Sequence, residues 1–209
     1  MSKVTGLKKG KSWGKRINVY LDGKLAIGVL PEVALKENLK IGQELGEKAL
    51  EDLAKVDLRQ RCFNAAARFL SYRPRSESEI KQRLLRHGYD EETIERTLAR
   101  LKDLGLADDA EFARFWIENR EAFRPRSRRM AKMELKRKGL ETDVIEQAVS
   151  ILDDRESAYR AAVSRAQKFT ADDYREFRRR LGGYLGRRGY NYGIIKEVTE
   201  KVWQERPKK

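Results

Sequence analysis

Three copies of one sequence pattern follow one another along this chain. Each copy is centred on a glycine, Gly88, Gly139 or Gly189, and these glycines lie 51 and 50 residues apart. A leucine lies four residues before each glycine and an isoleucine six residues after it. Self-similarity at this period is typical of tandem supersecondary units that stack on one another. The sequence therefore predicts a repeat protein, a class that more often binds a partner along its surface than encloses a substrate.

The first two copies share the motif Arg-Pro-Arg-Ser, at 73–76 and again at 124–127. Because the residue before a proline is disfavoured in the helical conformation, the motif predicts a break between two helices. Ser76 with Glu79 fits a capping box, so a second helix is expected to start there and to run to the glycine. Glycine readily adopts the left-handed conformation that ends a helix.

Apolar residues recur at helical spacing from residue 57 onward, which predicts three helices in each copy. We predict repeat 1 at 56–107, repeat 2 at 108–153 and a degenerate repeat 3 at 154–209. Repeat 3 lacks the Arg-Pro-Arg-Ser motif, with 170–175 in that region, and Gly182-Gly183 is expected to interrupt its second helix. Atypical terminal repeats are usual in stacked architectures.

Residues 1–55 have a different pattern, which predicts a small β-containing N-terminal segment. The run from Asn18 to Leu30 is rich in β-branched residues, and Asp22-Gly23 at its centre is a hairpin-turn signal. A strand near 3–7 completes a meander, and short helices are expected near 32–38 and 47–54. The predicted fold is mainly α: three tandem three-helix repeats in an elongated arc, preceded by this β-hairpin or meander.

Composition points to a charged surface rather than to a catalytic centre. The chain carries 47 Lys and Arg against 33 Asp and Glu, a formal net charge of +14, which predicts a polyanionic or acidic partner. It has one cysteine and one histidine, so a disulfide framework or a cysteine-based metal site is not expected. Cys62 is interpreted as a core thiol, and His87 as a residue that favours a helix end. We expect no enzyme activity, no cofactor and a monomeric, cytoplasmic protein without a membrane segment.

Two basic clusters are the strongest functional signal. Between 120 and 138 there are nine basic residues and two acidic ones, and between 175 and 188 there are six basic residues with only Glu176. A single charged run is most often a solvated helix face. Both clusters, however, fall on the second helix of consecutive repeats, so stacking would align them into one basic surface.

A helix-turn-helix reader of DNA bases is a less favoured interpretation. Such a motif would place the third helix of a repeat against DNA. In repeat 1 the segment 90–101 carries four acids and two arginines, and in repeat 2 the segment 141–152 carries three acids and no base. Phosphate would repel these helices, so sequence-specific readout is not expected.

The residues around the first glycine resemble the bacterial RecX family. The resemblance is carried by 72–80, Tyr-Arg-Pro-Arg-Ser-Glu-Ser-Glu-Ile, and by 83–90, Arg-Leu-Leu-Arg-His-Gly-Tyr-Asp. Ile94, Leu98, Leu101 and Leu104-Gly105 extend it, as do 124–127 and 134–139 in repeat 2. The hairpin at 18–30 looks like the amino-terminal extension of longer members. The resemblance covers nearly the whole chain and is weakest in repeat 3.

The resemblance implies a regulator of the RecA recombinase, acting in DNA repair and the SOS response. Members of the family are tandem three-helix repeats that bind RecA–DNA filaments in the helical groove. They contact several protomers and limit ATP hydrolysis, strand exchange and repressor cleavage. Two alternatives stay open: a helical-repeat protein that binds single- or double-stranded nucleic acid without sequence preference, and a scaffold for another acidic protein.

The basic clusters supply the residues expected to contact RecA or its DNA. Arg73 and Arg75 are second-rank candidates, because each flanks a proline break. Charge reversal of Arg128, Arg129 and Lys132 is expected to weaken filament binding without unfolding the chain. The full set of first-rank candidates is Arg124, Arg126, Arg128, Arg129, Lys132, Lys136, Arg137, Arg178, Arg179, Arg187 and Arg188.

Overall fold

The computed structural model describes residues 2–10, 16–168 and 173–206. Within them the chain forms four strands and ten helices. Its internal contacts divide it into two compact units: unit 1 is Met1–Arg73 with Ile80–Ala107, and unit 2 is Pro74–Glu79 with Asp108–Lys209. The architecture is thus mainly α, with three three-helix repeats after a small strand segment, as the sequence predicted.

The N-terminal segment is a four-stranded antiparallel sheet in the order β3-β2-β1-β4. Its strands are β1 (Ser2–Lys9), β2 (Ile17–Leu21), β3 (Lys24–Val29) and β4 (Glu44–Leu45). The predicted hairpin turn is confirmed, since Asp22 and Gly23 both have positive φ, at 47° and 83°. Val4, Val19 and Val29 are buried on one face of the sheet. The two-residue β4 was not predicted.

A short helix and a long one cover this sheet. Helix α1 (Pro31–Lys36) begins with proline at its first turn, where a missing N–H is tolerated. Helix α2 (Glu47–Leu70) is continuous over 24 residues, so the prediction of a separate short helix near 47–54, before the first helix of repeat 1, was wrong. No proline or glycine interrupts it. Asp57, at the expected junction, is buried inside the helix and accepts hydrogen bonds from Leu30 N at 2.7 Å and Arg16 Nη2 at 2.8 Å.

Repeat 1 consists of the second half of α2 with α3 (Glu77–Arg86) and α4 (Glu91–Asp103). Its core contains Cys62, Ile80, Leu84, Ile94 and Leu101, all fully buried. Cys62 is thus a core thiol, as predicted, and burial raises its pKa.

Repeats 2 and 3 follow the same plan within unit 2. Repeat 2 contains α5 (Asp109–Phe123), α6 (Arg128–Arg137) and α7 (Thr142–Val149); repeat 3 contains α8 (Asp154–Ala166), α9 (Tyr174–Arg187) and α10 (Tyr192–Gln204). Each has its own cluster of buried residues, centred on Leu135 in one and Leu185 in the other. In repeat 3, burial also raises the pKa of Tyr190 to about 12.

The expected interruption of α9 at Gly182-Gly183 was wrong. The helix runs through both residues, and the methyl Cγ2 of Ile195 lies 3.5 Å from where a Gly182 side chain would begin. The missing side chain thus brings α10 close to α9 rather than breaking the helix. Residues 170–172, part of the segment predicted to replace the motif in repeat 3, lie outside the described residues.

The three glycines of the sequence pattern end α3, α6 and α9. Their φ angles are +81°, +83° and +89° for Gly88, Gly139 and Gly189. The N–H of the next residue donates to the carbonyl of the repeated leucine, as in Tyr89 N to Leu84 O at 3.3 Å. This is a Schellman ending, the structure that the glycine pattern predicted. Each helix therefore has arginine as its last residue: Arg86, Arg137 and Arg187.

Candidate anion-binding surface

The first Arg-Pro-Arg-Ser motif ends at a joint between segment 74–79 and repeat 2. Ser76 caps α3 by accepting from Glu79 N at 3.2 Å, while its own hydroxyl donates to Lys138 O at 2.7 Å. The ammonium of Lys138 lies 2.7 Å from Glu79 Oε1. A Cβ on Gly139 would lie 2.4 Å from the Cβ of Ser78, so only glycine allows this approach.

The second motif forms the equivalent joint between repeats 2 and 3. Ser127 N donates to Arg188 O at 3.1 Å, and Arg188 Nη1 donates to Pro125 O at 3.0 Å. A Cβ on Gly189 would lie 2.2 Å from Cγ of Met130. The second motif thus joins the start of α6 to the glycine turn of repeat 3.

Arg126 belongs to a half-buried ion network rather than to open surface. Glu134, with a side chain only 12% exposed, accepts from Arg126 at 2.9 Å and from Arg120 at 2.8 Å. Its Oε2 also accepts from Trp116 Nε1 at 2.9 Å, and the guanidinium of Arg120 lies 4.6 Å from the centre of the Trp116 ring. These contacts hold α5 against α6.

Four further candidates have internal partners. Arg128 donates to the carbonyl of Leu152 after α7, and Lys132 pairs with Glu146 at 2.5 Å. Arg178 donates to the hydroxyl of Tyr192 at 2.9 Å. Arg188 contributes to the joint described above, with its guanidinium 4.4 Å from the Tyr184 ring centre. These side chains tie α6 and α9 to the helices beside them. The second-rank Arg73 and Arg75 are half-buried.

The other six candidates are exposed and form no ion pair with any residue that the structure describes. Arg129 and Arg179 occupy the same position in α6 and α9, 50 residues apart, as do the helix-ending Arg137 and Arg187. Lysine and arginine side chains of this kind can bind phosphate or carboxylate groups. The complete set of exposed, unpaired candidates is Arg124, Arg129, Lys136, Arg137, Arg179 and Arg187.

The position of the helix-ending arginines is also occupied in repeat 1, outside α6 and α9. Arg86 ends α3 as Arg137 ends α6, and it is exposed. The signal was present, since an arginine lies two residues before each repeated glycine. Arg86 was passed over because it stands outside both basic clusters.

No group of His, Cys, Asp and Glu in the described ranges could hold a metal ion. Across 2–10, 16–168 and 173–206, every helix is too short or too polar to span a bilayer.

The architecture and this surface define a tandem helical-repeat protein that presents cations at recurring positions. Four family models match it: the regulatory protein RecX N-terminal domain at 2–46, and the first, second and third RecX three-helix domains at 62–101, 108–149 and 153–199. The chain belongs to the RecX family of regulatory proteins. The family membership predicted from the sequence is confirmed.

Individual relatives match along almost the whole chain. Regulatory protein RecX of Bacillus pumilus is 30% identical over 207 residues, which cover 97% of this chain and 78% of the relative. That of Clostridium botulinum strain Eklund 17B is 29% identical, with 97% of each chain covered. A crystal structure of regulatory protein RecX shares the fold with a TM-score of 0.72 at 24% identity, over 96% of this chain and 100% of that one.

Proposed function

We propose that this chain binds a filament of RecA on single-stranded DNA and thereby limits RecA's ATP hydrolysis, strand exchange and repressor cleavage. Through repressor cleavage, it would restrain the SOS response. The chain acts as a cytoplasmic monomer and has no catalytic step of its own. Its membership of the RecX family of regulatory proteins supports this function.

The observation that carries the proposal is the recurrence of exposed, unpaired cations at the same positions of α6 and α9. Arg129 matches Arg179, and Arg137 matches Arg187. A filament presents identical surfaces at regular intervals, so successive repeats can each meet a further copy of one site. Linked contacts of modest strength then add up to high avidity.

Net charge favours the same partner. A formal charge of +14 attracts a nucleoprotein filament, which carries DNA phosphates. Attraction of this kind speeds association. It weakens as salt is added, because binding releases counterions from the DNA and this release is less favourable at high salt concentration. We therefore expect filament affinity to fall steeply with rising salt concentration.

The test is a titration of this chain into RecA that hydrolyses ATP on single-stranded DNA. We expect hydrolysis to fall at well below one copy per RecA, because one-for-one sequestration of monomers cannot act at that ratio. Unchanged hydrolysis, together with tight binding to the bare DNA, would instead support a nucleic-acid-binding repeat protein.

Charge reversal can locate the contact surface. The triple variant Arg129→Glu, Lys136→Glu and Arg137→Glu changes exposed, unpaired side chains of repeat 2. We expect at least about tenfold weaker filament binding, with unchanged helicity by circular dichroism. Arg128 and Lys132 are left intact because both have internal partners.

A matched control separates local contacts from overall charge. Lys36→Glu, Lys40→Glu and Lys48→Glu reverse three exposed lysines in unit 1, and both triple variants lower the net charge from +14 to +8, two charges per reversal. Equal losses of affinity in the two variants would contradict the assignment of the surface to α6.

A further inference from the structure

Helices α2 and α3 border an open groove of about 490 Å³ in unit 1, here called the unit 1 groove. Two aromatic side chains line it, Phe69 and Tyr72. Three basic side chains, Arg68, Arg83 and His87, line it as well. The groove lies outside the exposed cations of α6 and α9 and is not used by the function proposed above.

The aromatic side chains of the groove offer a stacking surface. Tyr72 is 72% exposed and lies two residues after the end of α2. Phe69, one turn earlier, is half-buried in the repeat 1 core, with the Arg83 guanidinium 5.6 Å from its ring centre. An exposed ring beside a supported one suits the flat face of a nucleobase, because every base can stack on an aromatic side chain.

The charges of the groove suit a phosphate. Arg68 and Arg83 make no ion pair with any described residue, and no carboxylate is part of the groove's described lining. The lining residue Asn64 donates to Glu32 Oε1 at 2.7 Å, and Glu32 itself is not among the residues that line the groove. Two guanidinium groups beside two aromatic rings form the combination of basic and aromatic residues with which proteins bind single-stranded nucleic acid.

Repeat 2 shows that the helix arrangement does not by itself create such a groove. With the 51-residue offset, Ala65 corresponds to Trp116, and Arg83 corresponds to Glu134. In repeat 2 the Trp116 indole is hydrogen-bonded to Glu134 at 2.9 Å and contacted by Arg120. In repeat 2 the Trp116 side chain thus occupies the equivalent space, and Glu134 neutralises the positive charge of Arg120 beside it. In repeat 1 a small residue and an arginine leave it open and basic.

We propose that the unit 1 groove binds single-stranded nucleic acid, with a base stacked on Tyr72 and a neighbouring phosphate held by Arg68 and Arg83. An acidic peptide would satisfy the two arginines but would leave the exposed ring without a flat partner. The inference goes beyond the function proposed above, because it rests on unit 1 alone and needs no RecA.

The test is fluorescence anisotropy with a labelled oligothymidylate and with an abasic oligonucleotide of equal length, both without RecA. Tyr72→Ala should weaken binding of the oligothymidylate about tenfold, and Tyr72→Phe should preserve it, because stacking requires only the ring. Binding of the abasic strand should be the same in all three proteins. Equal loss for both strands, or no loss for either, would overturn the stacking role of Tyr72.

A second variant tests the groove by filling it. Ala65→Trp places in repeat 1 the side chain that repeat 2 has, and it should abolish the advantage of oligothymidylate over the abasic strand. Phe123→Ala is the matched control: Phe123 is 76% exposed and occupies in repeat 2 the position of Tyr72. Its loss should leave the advantage intact. If the two variants behave alike while helicity is retained, the unit 1 groove is not the site.

Two further outcomes identify the ligand and separate this inference from the regulation of RecA. Displacement of the oligothymidylate by an excess of oligoglutamate, with the same affinity for wild type and Tyr72→Ala, would assign the groove to an acidic chain and overturn the proposal. Inhibition of RecA by Tyr72→Ala at wild-type level, with base-dependent binding lost, would support the groove as a separate site.

Discussion

Repeats 1 and 2 use the same three helices but treat the space between their first and second helices in opposite ways. Repeat 2 places Trp116 there and fixes it by a hydrogen bond to the half-buried Glu134. Repeat 1 has Ala65 and Arg83 at these positions and retains an open, basic groove. The difference shows that the backbone plan of a repeat is independent of its surface chemistry. The residues at two positions of the repeat decide whether the space between its first and second helices is filled and stabilises the repeat, or stays open to a ligand.

The glycine turns show a second contrast between the same repeats. Gly88 and Gly139 have nearly equal φ, at +81° and +83°. Apart from its chain neighbours, no described residue has an atom within 4 Å of a Cβ built on Gly88, whereas one built on Gly139 would lie 2.4 Å from Ser78. The first glycine is thus required by backbone conformation alone, and the second also by the joint with segment 74–79.

Alanine substitution of the two glycines separates these two requirements, and it is expected to change the free energy of unfolding more than any other substitution proposed below. Gly88→Ala should cost about 1 kcal/mol of unfolding free energy, because an L-residue is strained in the left-handed region. Gly139→Ala adds a displacement of Ser78 and of its segment, so it should cost about 3 kcal/mol. Urea denaturation followed by circular dichroism measures both, and equal costs would show that the joint yields without strain.

A smaller effect is expected from the ion network that fills repeat 2. Glu134→Ala removes the acceptor shared by Arg120, Arg126 and Trp116, so it should lower stability by about 2 kcal/mol. Glu146→Ala is the control, because Glu146 is 54% exposed and pairs only with Lys132 among the contacts that the structure describes. Its loss should cost less than about 0.5 kcal/mol. If both variants lose the same stability, the network does not hold α5 against α6.

Much of the fold was predictable because it follows from local rules. The repeated glycines specify helix endings through φ alone, and Asp22-Gly23 specifies its turn in the same way. The continuity of α2 was missed because Asp57 resembles a helix start in sequence, and its tertiary partners Arg16 and Leu30 are apparent only in the structure. Strand β4 has two residues and therefore too few for any periodicity.

The functional surface was only partly predictable, because charge runs do not reveal their partners. Arg126 and Arg129 belong to the same basic cluster of the sequence. Glu134 forms an ion pair with Arg126, however, whereas Arg129 is exposed. The groove of repeat 1 had one sequence signal: Tyr72 and Phe123 stand directly before the two Arg-Pro-Arg-Ser motifs. What distinguishes the two repeats is Ala65 against Trp116, seven residues before Tyr72 and Phe123 respectively, and the effect of that difference depends on packing.

The smallest expected effect concerns the arginines that end the second helices. Arg86→Gln, Arg137→Gln and Arg187→Gln should each cost less than about 0.5 kcal/mol of stability, because a cation at a helix C-terminus gains little when exposed. Their effects on filament binding should differ. Arg137→Gln and Arg187→Gln should each reduce by about one the slope of log affinity against log salt, as expected for the loss of one phosphate contact.

Arg86→Gln should leave that slope unchanged. Its Nε donates to Gln82 O at 3.2 Å within its own helix, and it lies outside the unit 1 groove and the surface of α6 and α9. A titration series of filament binding at increasing salt measures all three slopes under one condition. An equal reduction of the slope in all three variants would mean that position in the repeat, rather than membership of the α6 and α9 surface, decides which arginines contact the filament.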